Sequence, residues 1–310
     1  MFSVVTGGAG FIGSHIVDAL VQKGEDVLVI DNMKTGSVGN IQQHLREGRA
    51  RLIQADLTMD GWQDACEGAS RIYHVAADPD VRESAILPEA QISNNVLATA
   101  RVLDTMRRFD IPSIVFTSTS TVYGEARVIP TPEDYSPMEP ISVYGATKLA
   151  AEALISAYCH SFGLTACVFR FANIIGERAT HGVCWDFIEK LRKNPHALEI
   201  LGDGRQIKSY LEVHACVEAI LFAAEKSGKG YNVFNIGSED WIDVRSIADI
   251  VVEEMGLDGV EYRFTGGERG WVGDVPRMLL SIEKIRSLGW RPSVGSGESV
   301  RMAVKALLGK

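Results

Sequence analysis

One stretch near the N-terminus decides the fold of this chain: Val4-Val5-Thr6-Gly7-Gly8-Ala9-Gly10-Phe11-Ile12-Gly13. Its glycines match two overlapping spacings, GxxGxxG from Gly7 and GxGxxG from Gly8, between a short apolar run and an apolar-periodic segment. Glycine is needed here because no Cβ can stand between the backbone and a pyrophosphate, and because helix and strand must approach closely. The stretch therefore predicts a dinucleotide-binding turn, with an ordinary tight turn as the less favoured alternative.

Outward from this turn, short apolar runs alternate with helical patterns through the first 170 residues. The predicted strands are 3–6, 27–30, 51–53, 71–75, 113–117 and 166–169, and the predicted helices between them are 10–23, 94–108 and 145–162. Strands that alternate with helices are typical of stacked βαβ units. The sequence therefore predicts an α/β fold with a Rossmann-type doubly wound parallel sheet.

The alternation loosens in the second half of the chain, where Gly/Asp turns interrupt it. Helical patterns are still readable over 246–255 and 298–308. We expect residues 1–172 to form a cofactor-binding Rossmann domain. Residues 173–310 are expected to form mainly a smaller α/β substrate domain, with some segments returning to the Rossmann domain.

Composition and charge disfavour several classes of partner. The chain has 310 residues, of which 46% are hydrophobic and 23% charged, as in a globular protein. Its formal net charge is -9 and it has no dense Lys/Arg run, which argues against nucleic acid or an anionic membrane as the main partner. No apolar run approaches the ~20 residues of a membrane span, and no basic segment precedes an apolar one at the N-terminus. We predict a cytoplasmic protein.

The cysteines and histidines do not predict a metal site. The five cysteines form no CxxC pair and no zinc-like spacing, so we interpret them as buried free thiols in a reducing compartment. His74 and His214 have no neighbouring Cys/His cluster and are interpreted as hydrogen-bonded structural histidines.

Asp31 ends the second predicted strand, eighteen residues after Gly13. A carboxylate at this position can accept hydrogen bonds from the hydroxyls of an adenosine ribose, and it would repel a 2′-phosphate. The position therefore favours NAD over NADP, although Lys34 is a nearby cation that a 2′-phosphate could use. A solvated turn residue is the alternative interpretation of Asp31. Asp56, after the third predicted strand, is expected to face the adenine.

A phenol and an ammonium lie four residues apart in Tyr144-Gly145-Ala146-Thr147-Lys148, at the start of a predicted helix. Both side chains should project from one helix face. A free tyrosine has a pKa near 10 and is a poor base at pH 7, so a neighbouring cation is required to favour the phenolate. We expect Lys148, together with a charged nicotinamide ring, to lower the pKa of Tyr144.

A run of hydroxyl side chains leaves the fifth predicted strand, in Thr117-Ser118-Thr119-Ser120-Thr121. Open α/β sheets bind their ligands at the carboxyl ends of the strands, so these hydroxyls are placed to hydrogen-bond a substrate oxygen. The alternative is a Ser/Thr turn that satisfies its own backbone.

Together, the motifs TGGAGFIG, STSTVYG and YGATK resemble the extended short-chain dehydrogenase/reductase family, over nearly the whole chain. Within that family the sequence is most similar to UDP-glucose 4-epimerases, also named UDP-galactose 4-epimerases. The resemblance implies NAD as the cofactor and three catalytic residues: Thr119, Tyr144 as the base and Lys148 as its activating partner. The implied cofactor-binding residues are Gly7, Gly10, Phe11, Ile12, Gly13, Asp31, Asn32, Asp56, Leu57, Ala76, Asn94, Thr117, Tyr144 and Lys148.

The loop after Thr119 separates neighbouring activities within the resembling family. Related nucleotide-sugar 4,6-dehydratases carry an acidic pair directly after the catalytic threonine, whereas this chain has Ser120 and Thr121. Neither hydroxyl is a convincing acid or base near pH 7. The resemblance therefore favours C4 epimerisation of a UDP-hexose through a 4-keto intermediate. A dehydratase or decarboxylase of the same family is the alternative, and a non-catalytic NAD-sensing module would not need the Tyr144/Lys148 pair.

The resemblance also implies a substrate-binding set: Thr119, Tyr144, Asn173, Lys208, Arg269, Asp274 and Met278. Two positions in it depart from the pattern. Lys208 stands where similar enzymes have an Arg, and a lysine meets a phosphate only as a point charge. Trp271 stands where the epimerases hold a phosphate-binding Arg, with Arg269 two residues upstream.

The exact sugar and the assembly stay open at this point. Met278 occupies a position that limits the sugar pocket in the resembling epimerases, and it is smaller and more flexible than a tyrosine. UDP-GlcNAc and UDP-GalNAc therefore stay open as substrates beside UDP-glucose and UDP-galactose. Similar enzymes form homodimers through two helices, which here are 94–108 and 145–162.

Overall fold

The computed structural model describes residues 2–81 and 83–310. Its strands are β1 (Phe2–Thr6), β2 (Asp26–Asp31), β3 (Ala50–Gln54), β4 (Ala69–His74), β5 (Ser113–Thr119), β6 (Thr165–Phe171), β7 (Asn173–Ile175), β8 (Ala197–Ile200), β9 (Ile207–Lys208), β10 (Tyr210–Glu212), β11 (Tyr231–Ile236), β12 (Ile242–Asp243), β13 (Glu261–Phe264) and β14 (Arg277–Met278). Its α-helices are α1 (Phe11–Gln22), α2 (Gln42–Arg46), α3 (Pro88–Gln91), α4 (Ala98–Arg108), α5 (Val143–Phe162), α6 (Val183–Lys193), α7 (Val213–Lys226), α8 (Val244–Met255), α9 (Glu283–Leu288) and α10 (Ser296–Leu308). None of the helices in the described ranges combines the length and apolar character that crossing a membrane requires.

The chain forms two compact units. The first consists of the residues up to 122 together with 142–170 and 220–234, and the second of 123–141, 171–219 and 235–310. Two segments depart from a simple boundary after residue 172: residues 123–141 belong to the second unit, and residues 220–234 belong to the first.

The first unit is built on a seven-stranded sheet with the strand order β11-β6-β5-β4-β1-β2-β3. Strands β3, β2, β1, β4 and β5 pair in parallel along this order. The predicted Rossmann-type doubly wound sheet is confirmed, and the six strands predicted in the first 170 residues lie within two residues of β1 to β6. Apolar side chains on one face of the sheet form a core with α4 and α5, and this core includes Val4, Ile72, Phe116 and Val168.

Helix α5 begins and ends where its sequence indicates. The Ser142 hydroxyl accepts a hydrogen bond from the Gly145 N–H at 3.1 Å and caps the N-terminus. Gly163 ends the helix with a φ of 73°, a left-handed conformation that glycine adopts without a Cβ penalty. The helix buries Ala151, Ile155 and Cys159 in the core of the first unit. These caps and contacts fix the helix that carries Tyr144 and Lys148.

The predicted helix over 94–108 has an irregular first half. Residues Ile92–Leu97 form a π-helical turn, and the regular helix α4 begins only at Ala98. A π-turn inserts one extra residue, which rotates the following side chains relative to a regular α-helix. As a result Asn95 is buried, whereas its neighbour Asn94 is partly exposed.

The second unit has a hydrophobic core of its own, and its sheets have only two or three strands each. Strand β7 pairs with β10, β8 with β13, and β9 with both β12 and β14. Helices α6, α8 and α10 contribute Phe187, Ile247 and Val300 to this core. The helices predicted over 246–255 and 298–308 correspond to α8 and α10.

All five cysteines are free and buried, as the sequence predicts.

Candidate active site

The glycine turn between β1 and α1 packs too closely against the surrounding backbone to admit a side chain at Gly7 or Gly13. Gly7 has a φ of 69°, and a Cβ built on it would lie 2.8 Å from the backbone of Ala76. A Cβ on Gly13 would lie 2.0 Å from the Gly7 carbonyl oxygen. Gly10 is the N-cap and provides no side-chain hydrogen bond to the first N–H groups of α1. The uncapped N–H groups and the glycine backbone before them form a cradle of a kind that fits the pyrophosphate of a dinucleotide.

Asp31 lies directly behind the glycine turn. It is buried, and its carboxylate accepts hydrogen bonds from the N–H groups of Ala9 at 3.0 Å and Met33 at 2.8 Å. Two backbone donors leave further lone pairs on the two oxygens, so the carboxylate can still accept from ribose hydroxyls. Lys34 lies 3.8 Å from a carboxylate oxygen of Asp78.

The other predicted cofactor residues lie along the same edge of the sheet. Asp56 is exposed and accepts hydrogen bonds from the N–H and hydroxyl of Thr58, and Leu57 beside it is buried. The Asn32 side chain accepts a hydrogen bond from the Lys34 N–H. These residues follow β2 and β3, so they lie at the carboxyl ends of parallel strands, where such sheets bind ligands.

Three more predicted cofactor residues lie after β4, on β5 and in the π-turn. Ala76 follows β4 and donates its N–H to the Thr6 carbonyl at 3.0 Å. Thr117 is buried on β5. The side chain of Asn94 lies 3.4 Å from the carboxylate of Asp78. Asn95, which the sequence analysis did not select, makes the more extensive contacts: it accepts from the Asp78 N–H at 2.8 Å and donates to the Thr147 hydroxyl at 3.0 Å.

The three predicted catalytic side chains lie together in the first unit. Thr119 is the last residue of β5, and Tyr144 and Lys148 lie in the first two turns of α5. Thr119 forms a hydrogen bond with Tyr144. The Thr119 hydroxyl also lies 3.1 Å from the Thr121 hydroxyl and accepts from the Thr121 N–H at 3.2 Å.

Burial is the main influence on the pKa of Tyr144. Burial raises the pKa of Tyr144 to about 12, the hydrogen bond with Thr119 lowers it, and the Asp78 carboxylate raises it further. Lys148 is not among the groups that set this pKa in the chain, so the expected lowering by Lys148 together with a charged nicotinamide ring stays a prediction. Desolvation of the half-buried phenol outweighs the hydrogen bond with Thr119.

Lys148 is almost fully buried against an aromatic ring. Its Nζ lies 4.2 Å from the centroid of the Phe116 ring. Burial lowers the pKa of Lys148 to about 7, and the negative charge of Glu152 partly opposes this change. Near neutral pH the amine is thus close to the midpoint of its titration, and small electrostatic changes alter its charge.

A buried ion pair beside Lys148 was not found by the sequence reasoning. Glu152, one helical turn after Lys148, contacts Arg170 of β6 through both carboxylate oxygens at 2.7 to 3.1 Å. Ser118 of β5 donates a hydrogen bond to the same carboxylate. The signal in the sequence was a Glu at four-residue spacing after Lys148 and an Arg inside an otherwise apolar strand.

His74 is a hydrogen-bonded structural histidine, as predicted. Its Nδ1 lies 2.8 Å from the Thr6 hydroxyl and its Nε2 lies 3.0 Å from the Thr99 hydroxyl. Burial, together with the charge of Lys148, lowers the pKa of His74 to about 3. The imidazole is therefore neutral near pH 7 and adds no charge beside Lys148.

The second unit gathers the predicted phosphate-binding residues. Lys208 on β9 forms an ion pair with Asp274, whose side chain is buried, and its Nζ lies 5.1 Å from the Trp271 ring. Arg269 donates to the Asp274 carbonyl oxygen at 2.6 Å and forms an ion pair with Glu125. Both cations are thus already engaged by acidic groups or carbonyl oxygens of the chain.

Asn173 and Met278 lie on the strands that flank this cluster. Met278 on β14 is the register partner of Lys208 on β9 in a parallel pair, and partners of this kind point to the same side of a sheet. The Asn173 side chain donates to the Ser209 carbonyl oxygen at 3.1 Å, directly after Lys208. The structure therefore brings together the predicted substrate-binding residues of the second unit.

Glu212 lies directly before α7 and binds its first N–H groups. Its carboxylate accepts hydrogen bonds from the N–H groups of His214 at 2.8 Å and Ala215 at 3.3 Å, and it caps α7. The same carboxylate lies 2.8 Å from Nδ1 of His214. Glu212 thus fixes the start of a helix, and His214 is hydrogen-bonded, as predicted.

Comparisons with known proteins agree with this site. The model of the NAD dependent epimerase/dehydratase family matches residues 3–237. A putative UDP-glucose 4-epimerase of Methanocaldococcus jannaschii is 34% identical over 308 residues, which cover 97% of this chain and 96% of that protein. The crystal structure of a UDP-galactose 4-epimerase is 42% identical with a TM-score of 0.90, and the match covers 100% of this chain and 99% of that one.

A related enzyme with another activity has an equally similar fold. The structure of a double mutant of a dTDP-glucose 4,6-dehydratase from Streptomyces venezuelae, with NAD bound, is 26% identical. Its TM-score is 0.91, and the match covers 99% of this chain and 97% of that one. Fold similarity therefore does not separate epimerase from dehydratase, and the site residues must decide between them. From the family model, the relatives and the glycine cradle, we conclude that this chain belongs to the NAD-dependent epimerase/dehydratase family, with NAD as its cofactor.

Proposed function

We propose that this protein interconverts the C4 epimers of a UDP-hexose, with UDP-glucose and UDP-galactose as the first candidates. The observation that carries the proposal is the hydrogen-bonded pair of Thr119 and Tyr144, with buried Lys148 one turn further along α5. A phenol, a hydroxyl and an amine at the carboxyl end of β5 provide the groups that removing a proton from a sugar hydroxyl requires.

The three side chains have different roles in the proposed reaction. Tyr144 accepts the proton of the C4 hydroxyl and returns it after the hydride has been exchanged. Thr119 donates a hydrogen bond to the same oxygen and holds it close to Tyr144. Lys148, as an ammonium, stabilises the phenolate form of Tyr144. Because burial raises the pKa of Tyr144 to about 12, the base depends on a nearby positive charge.

NAD, when bound, supplies the hydride acceptor and donor at the sugar C4. The residues proposed to hold it are the glycines of the cradle, Asp31 at the adenosine ribose, and Lys148 beside the nicotinamide half. Inversion requires that the 4-keto sugar present its other face before the hydride returns. The net reaction consumes no external oxidant, so a tightly held cofactor is expected.

Residues of the second unit are proposed to bind the nucleotide diphosphate. Asn173, Lys208 and Arg269 supply an amide and two cations, and they lie close to one another around Ser209 and Asp274. A diphosphate would have to displace Asp274 from Lys208, which makes Lys208 a weaker clamp than a free arginine.

An N-acetylated sugar is a second candidate substrate. Met278, which projects from the same side of the small sheet as Lys208, has a flexible side chain that can make room for an acetamido group. Comparing kcat/KM for UDP-glucose and UDP-GlcNAc distinguishes the two substrates.

Dehydration and decarboxylation share the first chemical step and form the alternative function. The residues that follow Thr119 favour epimerisation, because Ser120 and Thr121 provide no carboxylate for the elimination of a hydroxyl. A stable 4-keto-6-deoxy product or a pentose product would establish the alternative instead.

We also propose that two copies of the chain form a homodimer through α4 and α5. Leu97, directly before α4, and Phe162, at the end of α5, expose 44% and 52% of their surface and would supply apolar area to such an interface. Light scattering during size-exclusion chromatography measures the assembly. A monomer at micromolar concentration would contradict this part of the proposal.

The decisive experiment is an assay of the NAD-saturated chain with a panel of UDP-, GDP- and dTDP-sugars, in which the products are identified. We expect UDP-glucose and UDP-galactose to interconvert. Tyr144→Phe removes the proton acceptor and should reduce kcat by about 10²- to 10⁴-fold. Tyr158→Phe, on the same helix but outside the proposed site, is the matched control and should leave kcat unchanged. Full activity of Tyr144→Phe would exclude Tyr144 as the base.

A further inference from the structure

The buried ion pair in the first unit lies on the same helical stripe as two of the catalytic residues. Tyr144, Lys148 and Glu152 follow one another at four-residue spacing on α5, so their side chains project from neighbouring positions on one face. Lys148 and Glu152 are each 2% exposed, and Arg170 is 4% exposed. Three buried charged groups in one place are costly unless they compensate one another, so their arrangement requires an explanation.

Arg170 and Ser118 hold the Glu152 carboxylate in one orientation. The Nε of Arg170 lies 3.1 Å from both carboxylate oxygens, and one terminal nitrogen lies 2.7 Å from Oε2. Ser118 donates to Oε1 from the adjacent strand β5. A carboxylate held by three donors from two strands cannot turn toward Lys148.

Glu152 acts on Lys148 without an ion-pair contact. Among the side chains that the structure describes, Lys148 has no carboxylate within ion-pair distance, and its Nζ instead faces the Phe116 ring. The interior has a low effective dielectric constant, so a carboxylate one helical turn away still stabilises the ammonium. The N–H groups of Lys148 are therefore not occupied by a carboxylate.

The other titratable groups around Lys148 carry no charge near pH 7. His74 on β4 has its pKa lowered to about 3, and Tyr144 on α5 has its pKa raised to about 12. Among the described residues, the charged group that acts on the Lys148 amine is Glu152 on its own helix, and Arg170 on β6 pairs with that carboxylate. Since Glu152 opposes the lowering of the Lys148 pKa that burial causes, its negative charge has the stronger effect at the amine.

We propose that Glu152 is a positioning residue for Lys148: its carboxylate, fixed by Arg170 and Ser118, favours the charged form of the buried amine and leaves the N–H groups of that amine free. The inference deepens the proposed function, because it depends on that function only for the catalytic role of Lys148. In this arrangement Arg170 prevents a direct pair between Glu152 and Lys148, which would occupy the amine.

The test is a titration of Lys148 itself by NMR. The full-length chain is labelled with lysine carrying ¹³C at Cε, saturated with NAD, and followed from pH 5 to 10; the signal missing from Lys148→Met identifies Lys148. Glu152→Gln removes the negative charge with almost no change in volume. We expect it to lower the Lys148 midpoint by about one pH unit, since an opposite charge at such a distance typically shifts a pKa by that much.

Additional variants separate the charge of Glu152 from its structural contacts. Glu152→Gln leaves Arg170 buried without its partner, so the double variant Glu152→Gln/Arg170→Met removes both charges and keeps a neutral pair. It should also lower the midpoint. Ser118→Ala retains the carboxylate and should leave the midpoint nearly unchanged. The matched control Asp104→Asn removes an exposed carboxylate that pairs with an arginine in the same unit, and no shift is expected there.

An unchanged Lys148 midpoint in both Glu152 variants would overturn the proposal and make the pair purely structural. The second readout is the pH profile of kcat, in which the alkaline limb should move to lower pH in Glu152→Gln by the same amount as the midpoint. A structural pair would reduce the amount of folded enzyme without moving this limb. The NMR titration needs no substrate, so a failed epimerase assay with a shifted midpoint would reject the proposed substrate and not this inference.

Discussion

Lys148 and Lys208 are both largely buried, but only Lys208 has a carboxylate partner among the described residues. Lys148 in the first unit faces an aromatic ring, and the nearest carboxylate on its helix is held away from it by Arg170. Lys208 in the second unit forms a direct ion pair with Asp274. The lysine proposed to support proton transfer therefore has no carboxylate partner in the described part of the chain, whereas the lysine proposed to bind a phosphate is paired with Asp274.

The difference leads to separate expectations for the two lysines. An unpaired buried amine has a perturbed pKa, so its removal should alter proton transfer and pH-dependent stability. At Lys208 the Asp274 carboxylate has already replaced water around the amine, so an incoming phosphate must compete with that carboxylate. Changes at Lys148 should therefore appear mainly in kcat, and changes at Lys208 mainly in KM.

The largest effect is expected for Lys148→Met, which has a similar volume and no charge. Without the ammonium, burial keeps Tyr144 in its phenol form, and kcat for the UDP-hexose should fall by about 10²-fold or more. The measurement is steady-state kinetics over pH 6 to 9 with NAD saturating. If Lys148→Met raised KM and left kcat unchanged, Lys148 would act in substrate binding as Lys208 is proposed to do, and the proposed difference between the two lysines would be wrong.

The same variant should be more stable than the natural chain at low pH. The pKa of Lys148 is about 7 in the folded chain and near 10.5 in the unfolded chain, so below pH 7 the amine is charged in both states and the full cost of burying it is present. Between pH 7 and 10.5 the folded chain binds fewer protons than the unfolded one, and stability rises with pH. Lys148→Met should therefore gain a few kcal/mol at pH 6, and the gain should disappear above pH 10.5.

Calorimetry of the two chains without added NAD at pH 6 and pH 9 measures this difference. The melting temperature of Lys148→Met should exceed that of the natural chain by more at pH 6 than at pH 9. Equal differences at the two pH values would show that the folded-state pKa of Lys148 is not lowered.

The sequence allowed much of the first unit to be predicted, because its signals are local. The glycine turn, the strand periodicity and the spacing of Tyr144 and Lys148 each depend on a few adjacent residues, and the structure has the corresponding elements. Asn94 and Asn95 mark a limit of such reasoning. A π-turn that no local pattern indicated decides which of the two side chains is buried.

Long-range charge pairing could not be predicted from the sequence. Lys208 and Asp274 are 66 residues apart, and only the second unit's fold brings them together. The effect of burial on the Tyr144 pKa could not be predicted for a related reason: spacing along a helix reports which groups are neighbours, but not how strongly burial desolvates them.

A smaller effect is expected for Lys208→Met. If Lys208 contacts the diphosphate, its loss should raise KM about tenfold, the low end for a charge-assisted hydrogen bond, because Asp274 already competes for the amine. Kinetics with a UDP-hexose measures KM and kcat separately. Lys208→Arg is the matched variant, since it keeps the charge and should restore most of the affinity. A fall in kcat without a change in KM would contradict the proposed role.

The smallest effect is expected for Glu125→Gln, which releases Arg269 from its ion pair. The side chains of Arg269 and Glu125 are 42% and 47% exposed, whereas that of Asp274 is 2% exposed. A solvated pair contributes at most about 1 kcal/mol, so freeing Arg269 should change KM less than about fivefold. The arginine also keeps its hydrogen bond to the Asp274 carbonyl oxygen, which holds it in place. A large fall in KM would mean that Glu125 competes with the substrate for Arg269, as Asp274 is proposed to do for Lys208. In that case the greater solvent exposure of the Arg269–Glu125 pair would not make it a weaker competitor.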